Sequence, residues 1–122
     1  MHPSADSVSS LLSSASEQRW RLLFEQSPLS IQIFAPDGRT IRFNQAWSNL
    51  FRLSPEQAYA FNVLKDPDLI RTGAIHHISK AFQGEAITVP PVPFPLTGDP
   101  PATRWIGGTL YPVTGPDGDL LE

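Results

Sequence analysis

The hydrophobic positions change period several times along the chain, and each change marks an element. Ile31, Ile33 and Ala35 fall on one side of an extended segment, with Gln32 and Phe34 on the other. After Pro36-Asp37-Gly38 the two-residue period returns, with Ile41 and Phe43 alternating with Thr40 and Arg42. Two alternating runs around an Asp-Gly turn predict a β-hairpin. Asn44 follows at once, and asparagine is a favoured N-cap because its side-chain oxygen takes a first-turn N–H. Ala46, Trp47, Leu50 and Phe51 then share a helical face. Ser54-Pro55-Glu56-Gln57 predicts a second helix start, with Ser at the cap, Pro in the first position and Gln as its reciprocal partner. Asp66-Pro67 predicts a third. Gly73 separates it from a longer helix carrying Ala74, Ile75, Ile78, Ala81 and Phe82, which Gly84 closes.

The flanks are less regular. Residues 1–15 form a Ser-rich leader in which Val8, Leu11, Leu12 and Ala15 keep helical spacing. That leader reads either as a loose tail or as a dimerising helix. Ser14-Ala15-Ser16-Glu17 has the form of a capping box, so a helix is predicted from about residue 15 to 26. Trp20, Leu23 and Phe24 share its face, and Pro28 stops it. Downstream, Ala86-Ile87-Thr88-Val89 opens a strand that meets Pro90, Pro91, Pro93 and Pro95. Proline cannot donate to a ladder, so residues 86–94 are predicted to form an edge strand, with a loop over 95–102. The strand from Arg104 to Val113 puts Trp105, Thr109, Tyr111 and Val113 on one face and Ile106 and Leu110 on the other. Gly107-Gly108 within it predicts a bulge or a close approach. A second Pro-Asp-Gly turn, at residues 116–118, leads into the start of another strand, Asp119 to Glu122.

Composition narrows the function classes. The chain has 122 residues and a net charge of −3, enough for one domain with one modest core. No basic stripe exists for nucleic acid. With zero cysteines there is no disulfide, no thiolate nucleophile and no Cys-based zinc site. No apolar run approaches the roughly 18 residues of a membrane span. The leader, with His2 as its sole cationic candidate, lacks the positive start of a signal peptide, so a cytoplasmic module is expected. The acidic residues Asp37, Glu56, Asp66, Asp68, Asp99, Asp117 and Asp119 sit in turns and caps, where solvation accounts for them better than acid–base catalysis. No Gly-x-Ser-x-Gly or Ser/His/Asp pattern provides a nucleophile.

Taken with their order, these elements resemble a PAS domain, the small sensory and dimerisation module of bacterial signalling proteins. The resemblance covers residues 16–122. It rests on the two Pro-Asp-Gly turns, Asn44 after the second strand, Ala81-Phe82-Gln83-Gly84-Glu85, and Tyr111-Pro112-Val113. It implies an α+β fold: a five-stranded antiparallel sheet in the order second, first, fifth, fourth, third, with helices over one face. The proline-rich third strand is then an edge, as its chemistry independently requires. The fifth, central strand is present only as its first residues, so the domain is expected to be completed by further chain or by a second molecule.

Several functional expectations follow from the resemblance. Phe43, Trp47, Ile78, Phe82, Trp105 and Tyr111 are the candidate lining of a small-molecule pocket, with a filled aromatic core as the plainer outcome. Haem is not expected: the position of the iron ligand in haem-binding relatives falls on Ala74, and adjacent His76 and His77 point about 100° apart on a helix. A flavin or other chromophore attached through cysteine is excluded by composition. A homodimer is expected through Val8, Leu11, Leu12, Ala15, Trp20 and Phe24. The parent protein is expected to carry a C-terminal output domain, a sensor histidine kinase first. The alternatives are a ligand-free interaction module and a small α+β enzyme with a cone-shaped pocket.

Overall fold

The computed structural model describes residues 5–96 and 100–122, with side chains described from residue 14 onward. Nine elements follow in order: α1 (Ala5–Gln26), β1 (Gln32–Phe34), β2 (Thr40–Phe43), α2 (Gln45–Phe51), α3 (Pro55–Ala60), α4 (Pro67–Thr72), α5 (Ala74–Phe82), β3 (Ile87–Leu96) and β4 (Ala102–Leu110). Helix α1 runs straight through Ser14, so the predicted capping box does not start it. Glu17, freed from that role, pairs with Arg21 one turn on, at 3.0 Å. Among the described residues no helix is long and apolar enough to cross a membrane.

The caps read from the sequence hold the short helices. Asn44 Oδ1 accepts from Trp47 N–H at the start of α2. Ser54 and Gln57 form the reciprocal box of α3. Asp66 caps α4, with Pro67 in its first turn. Helices of six or seven residues are marginal alone. Here each is fixed by its cap and by packing.

β1 and β2 form an antiparallel hairpin, closed by Ala35 N–H to the Arg39 carbonyl at 2.8 Å. Its Asp37 accepts from the Arg39 backbone N–H and then from the Arg39 guanidinium, and these bonds hold the carboxyl below its usual pKa. The stabilisation from a depressed carboxyl is present above the ordinary Asp range and is lost as pH falls through the lowered pKa. The turn is locked to the segment after α3: Val63 N–H donates to the Gly38 carbonyl, and Asn62 Nδ2 donates to that of Asp37.

β3 and β4 form a second antiparallel pair. The strand predicted over 86–94 lies at 87–96 and pairs on one side only, as its prolines require. It does not end at them. The register breaks between Val89 and Val92, absorbing Pro90 and Pro91, and then resumes. Every second residue of an antiparallel strand turns its N–H and C=O toward the neighbour. Val92, Phe94 and Leu96 take those positions, while Pro93 and Pro95 fall where an N–H would point outward. Opposite the break, a Cβ on Gly107 would lie 2.8 Å from the Val89 carbonyl oxygen and 2.9 Å from the Pro91 nitrogen. Gly107→Ala should therefore push the ladder apart and cost about 1–3 kcal/mol. Gly108→Ala, with open space around it, is the control in urea unfolding.

The five-stranded order expected from the resemblance is not assembled as one sheet: the described residues hold two separate pairs, β1-β2 and β3-β4. β4 ends at Leu110, and Val113–Gly115 pair instead with Asp119–Glu122 around the second Pro-Asp-Gly turn. Val113 N–H donates to the Glu122 carbonyl at 2.8 Å, and Leu121 N–H to that of Val113 at 2.9 Å. The two pairs share one core. Val63, Ala74, Ile78 and Val89 form its buried centre, with Phe34, Phe82, Val92 and Leu110 packed on it.

Candidate functional site

Four of the six predicted pocket residues face inward, in two groups. Ile78 and Phe82, one turn apart on α5, belong to the main core, where the Phe82 ring lies 6.3 Å from that of Phe34. Phe43 and Trp47 belong to a continuous chain of five aromatic rings. Tyr59 of α3 packs on Phe43 of β2 at 5.3 Å, Phe43 on Trp47 of α2 at 5.0 Å, and Trp47 on Phe51 at 4.8 Å. Phe51 meets Phe94 of β3 edge-on at 5.1 Å. The chain thus ties the first hairpin to the second strand pair through α2. Ring pairs at these distances attract beyond their area burial.

Trp105 and Tyr111 do not join them. They are 71% and 69% exposed, so their assignment to the pocket is corrected. For Trp105 the reason lies in strand alternation: Leu110 packs on the core from β4, which turns the odd-numbered residues of that strand outward, while Tyr111 lies just past its end.

Beside the rings runs a polar relay that alternation did not reveal. Trp47 Nε1–H donates to Gln32 Oε1 at 2.7 Å, Gln32 Nε2 to Thr40 Oγ1 at 3.0 Å, and Thr40 Oγ1–H to the Phe61 carbonyl at 3.1 Å. Each member is neutral, so the relay orients side chains and offers no acid or base. The one sequence signal was a glutamine inside a hydrophobic hairpin near a tryptophan. Arg104 reaches from β4 to the end of α2 and donates to the Leu50 carbonyl at 2.8 Å.

His76 and His77 are both exposed, and Ala74 is buried. Among the described residues no three His, Cys, Asp or Glu side chains cluster as a metal site would need. Two open clefts of about 520 Å³ each are lined in part by Ser27 and Pro28, and none of the five rings lines them.

At the predicted dimer surface, Val8, Leu11 and Leu12 lie outside the residues whose side chains are described. Ala15 is exposed and Trp20 half-exposed. Phe24 is corrected: at 8% exposure it is buried in its own domain, because the last turn of α1 lies against the start of α2. Trp20 stacks on Phe24 at 5.4 Å, and the Arg42 guanidinium sits 5.2 Å from the Trp20 ring centre.

The family model for the PAS fold matches residues 24–122, from the end of α1 through α2–α5 and both strand pairs. The chain belongs to the PAS family. A solved structure similar to it is a domain of the sensory box sensor histidine kinase/response regulator from Geobacter sulfurreducens. The two share 17% identity with a TM-score of 0.63, over 87% of this chain and 90% of that one. None of the curated proteins matches.

Proposed function

We propose that this PAS domain receives an input and passes it, through a homodimer, to an output domain in the same protein, a sensor histidine kinase first among the choices. The domain performs no chemistry of its own in this reading and works in the cytoplasm. The observation that carries it is α1. Residues 14–23 of that helix are all exposed while its last turn is docked, leaving a long helical surface for a second copy. The histidine kinase origin of the structural neighbour supports the choice of output. Light scattering tests the dimer at about 100 µM, well above micromolar contacts. Deleting residues 1–15, or Leu12→Asp, should shift the dimer toward monomer by placing less apolar surface, or a charge, at the seam. A monomeric intact chain would refute the dimer.

A ligand-free interaction module is the second reading, favoured by the ring chain, whose members pack on one another. Native mass spectrometry of the folded chain separates the two. A bound metabolite supports the sensor, and a bare dimer supports the interaction module.

A further inference from the structure

Asn44 has no exposed surface, and its side-chain amide is used in full. Oδ1 accepts from the N–H of Ile31 and of Trp47, each at 3.0 Å. Nδ2 donates to the carbonyls of Phe24, at 3.0 Å, and Leu29, at 2.8 Å. An amide offers two donor hydrogens and one acceptor oxygen, so every direction is taken. The division falls by element. The acceptor half holds the residue leading into β1 and the first turn of α2. The donor half holds the last turn of α1 and the linker behind it.

Among the described residues, few other contacts fix α1. Phe24 is buried, Trp20 lies between Phe24 and Arg42, and residues 14–23 are exposed. The two open clefts flank Ser27-Pro28 at this joint, one bordered by Gln45 and Ala46, the other by Leu22 and Leu23. Asn44 also meets the ring chain directly. Trp47 gives it a backbone N–H while its indole N–H goes to Gln32.

We propose that Asn44 is the positioning residue that couples the aromatic centre to the N-terminal helix. A planar amide turns as one body. A shift of Trp47 moves the first turn of α2, rotates the amide at Oδ1, and swings Nδ2 away from the Phe24 and Leu29 carbonyls. The signalling reading gives this coupling its purpose, but the test below reads the coupling whether or not the domain dimerises.

Asn44→Asp tests it. Aspartate caps a helix as well as asparagine, so the acceptor half survives. Both donors are lost, and a carboxylate oxygen faces two carbonyl oxygens. Hydrogen exchange of the full chain at pH 8 should show the last-turn amides of α1 exchanging about tenfold faster or more, with β1, β2 and α5 within about threefold of the parent. Trypsin should cut faster after Arg21 in step. Equal acceleration everywhere, or an unchanged α1, overturns the proposal. Trp47→Phe keeps a ring but removes the indole N–H from Gln32. It should quicken exchange in the last turn of α1 about threefold or more, and no response there refutes transmission from the aromatic centre. Should Asn44→Asp not fold, the unmodified chain in rising urea decides. The amides of Ile31 and Trp47 should open together with the end of α1, with one denaturant dependence, and separate openings refute the coupling.

Discussion

Replacing Trp47 with alanine should lower the unfolding free energy by about 3–5 kcal/mol, a large share of the roughly 5–15 kcal/mol that holds a domain of this size. Trp47 is 2% exposed, so truncation leaves a cavity between α2 and the first hairpin. Its loss also strands Gln32 Oε1 and removes the middle ring between Phe43 and Phe51. Trp105→Ala removes a side chain of the same size from an exposed position and should cost no more than about 0.5–1 kcal/mol. Urea unfolding of both variants, followed by far-ultraviolet circular dichroism, checks the pair. Equal midpoints would contradict the burial difference between the two tryptophans.

Gly38→Ala should cost about 2–5 kcal/mol, the sum of two effects of different origin. Gly38 has φ +91°, outside the range that L-residues adopt readily, at about 1–2 kcal/mol. The added Cβ would also collide with Asn62 Oδ1 and lie 3.0 Å from Leu64 Cγ. Such overpacking costs about 1–3 kcal/mol more. Asn62 cannot swing aside freely, because Oδ1 accepts from Leu64 N–H and Nδ2 donates to the Asp37 carbonyl. Gly73→Ala separates the two effects. Gly73 has φ +83° with nothing near its missing Cβ, so it carries the backbone cost alone. Matching unfolding midpoints in the two variants would remove the steric part of the explanation.

The hairpin, the three capped helices and the edge position of β3 were legible because each depends on a local rule. An N-cap needs one side-chain oxygen at one position, and a proline lacks its N–H wherever it stands. Ser14 misled because a capping box competes with helix continuation, and residues 5–13 continue the helix. Alternation divided β4 into the correct two faces but could not say which one is inside. That is decided by the core carried on α5, far away in sequence. The same limit hid the ring chain. Trp47 and Phe51 share a helix face, but Tyr59 and Phe94 reach Phe43 and Phe51 only after four elements have folded together, and nothing in their spacing announces it. The sequence marks Asn44 as a helix cap, but its hold on Phe24 and Leu29 spans 20 and 15 residues, which no local pattern encodes.

The prolines of β3 also decide how another backbone can approach the molecule. Pro93 and Pro95 turn their N-substituted sides to the outer margin of the strand, so an arriving chain finds carbonyls there and lacks the matching donors. β4 is different. Thr103 and Trp105, opposite those prolines, direct N–H and C=O away from β3 toward a side with no partner strand among the described residues. Attachment through this strand pair is therefore uneven: a guest strand finds a full set of donors along β4 and few along the proline half of β3. Fibre growth needs both margins, and the prolines of β3 weigh against it on one of them.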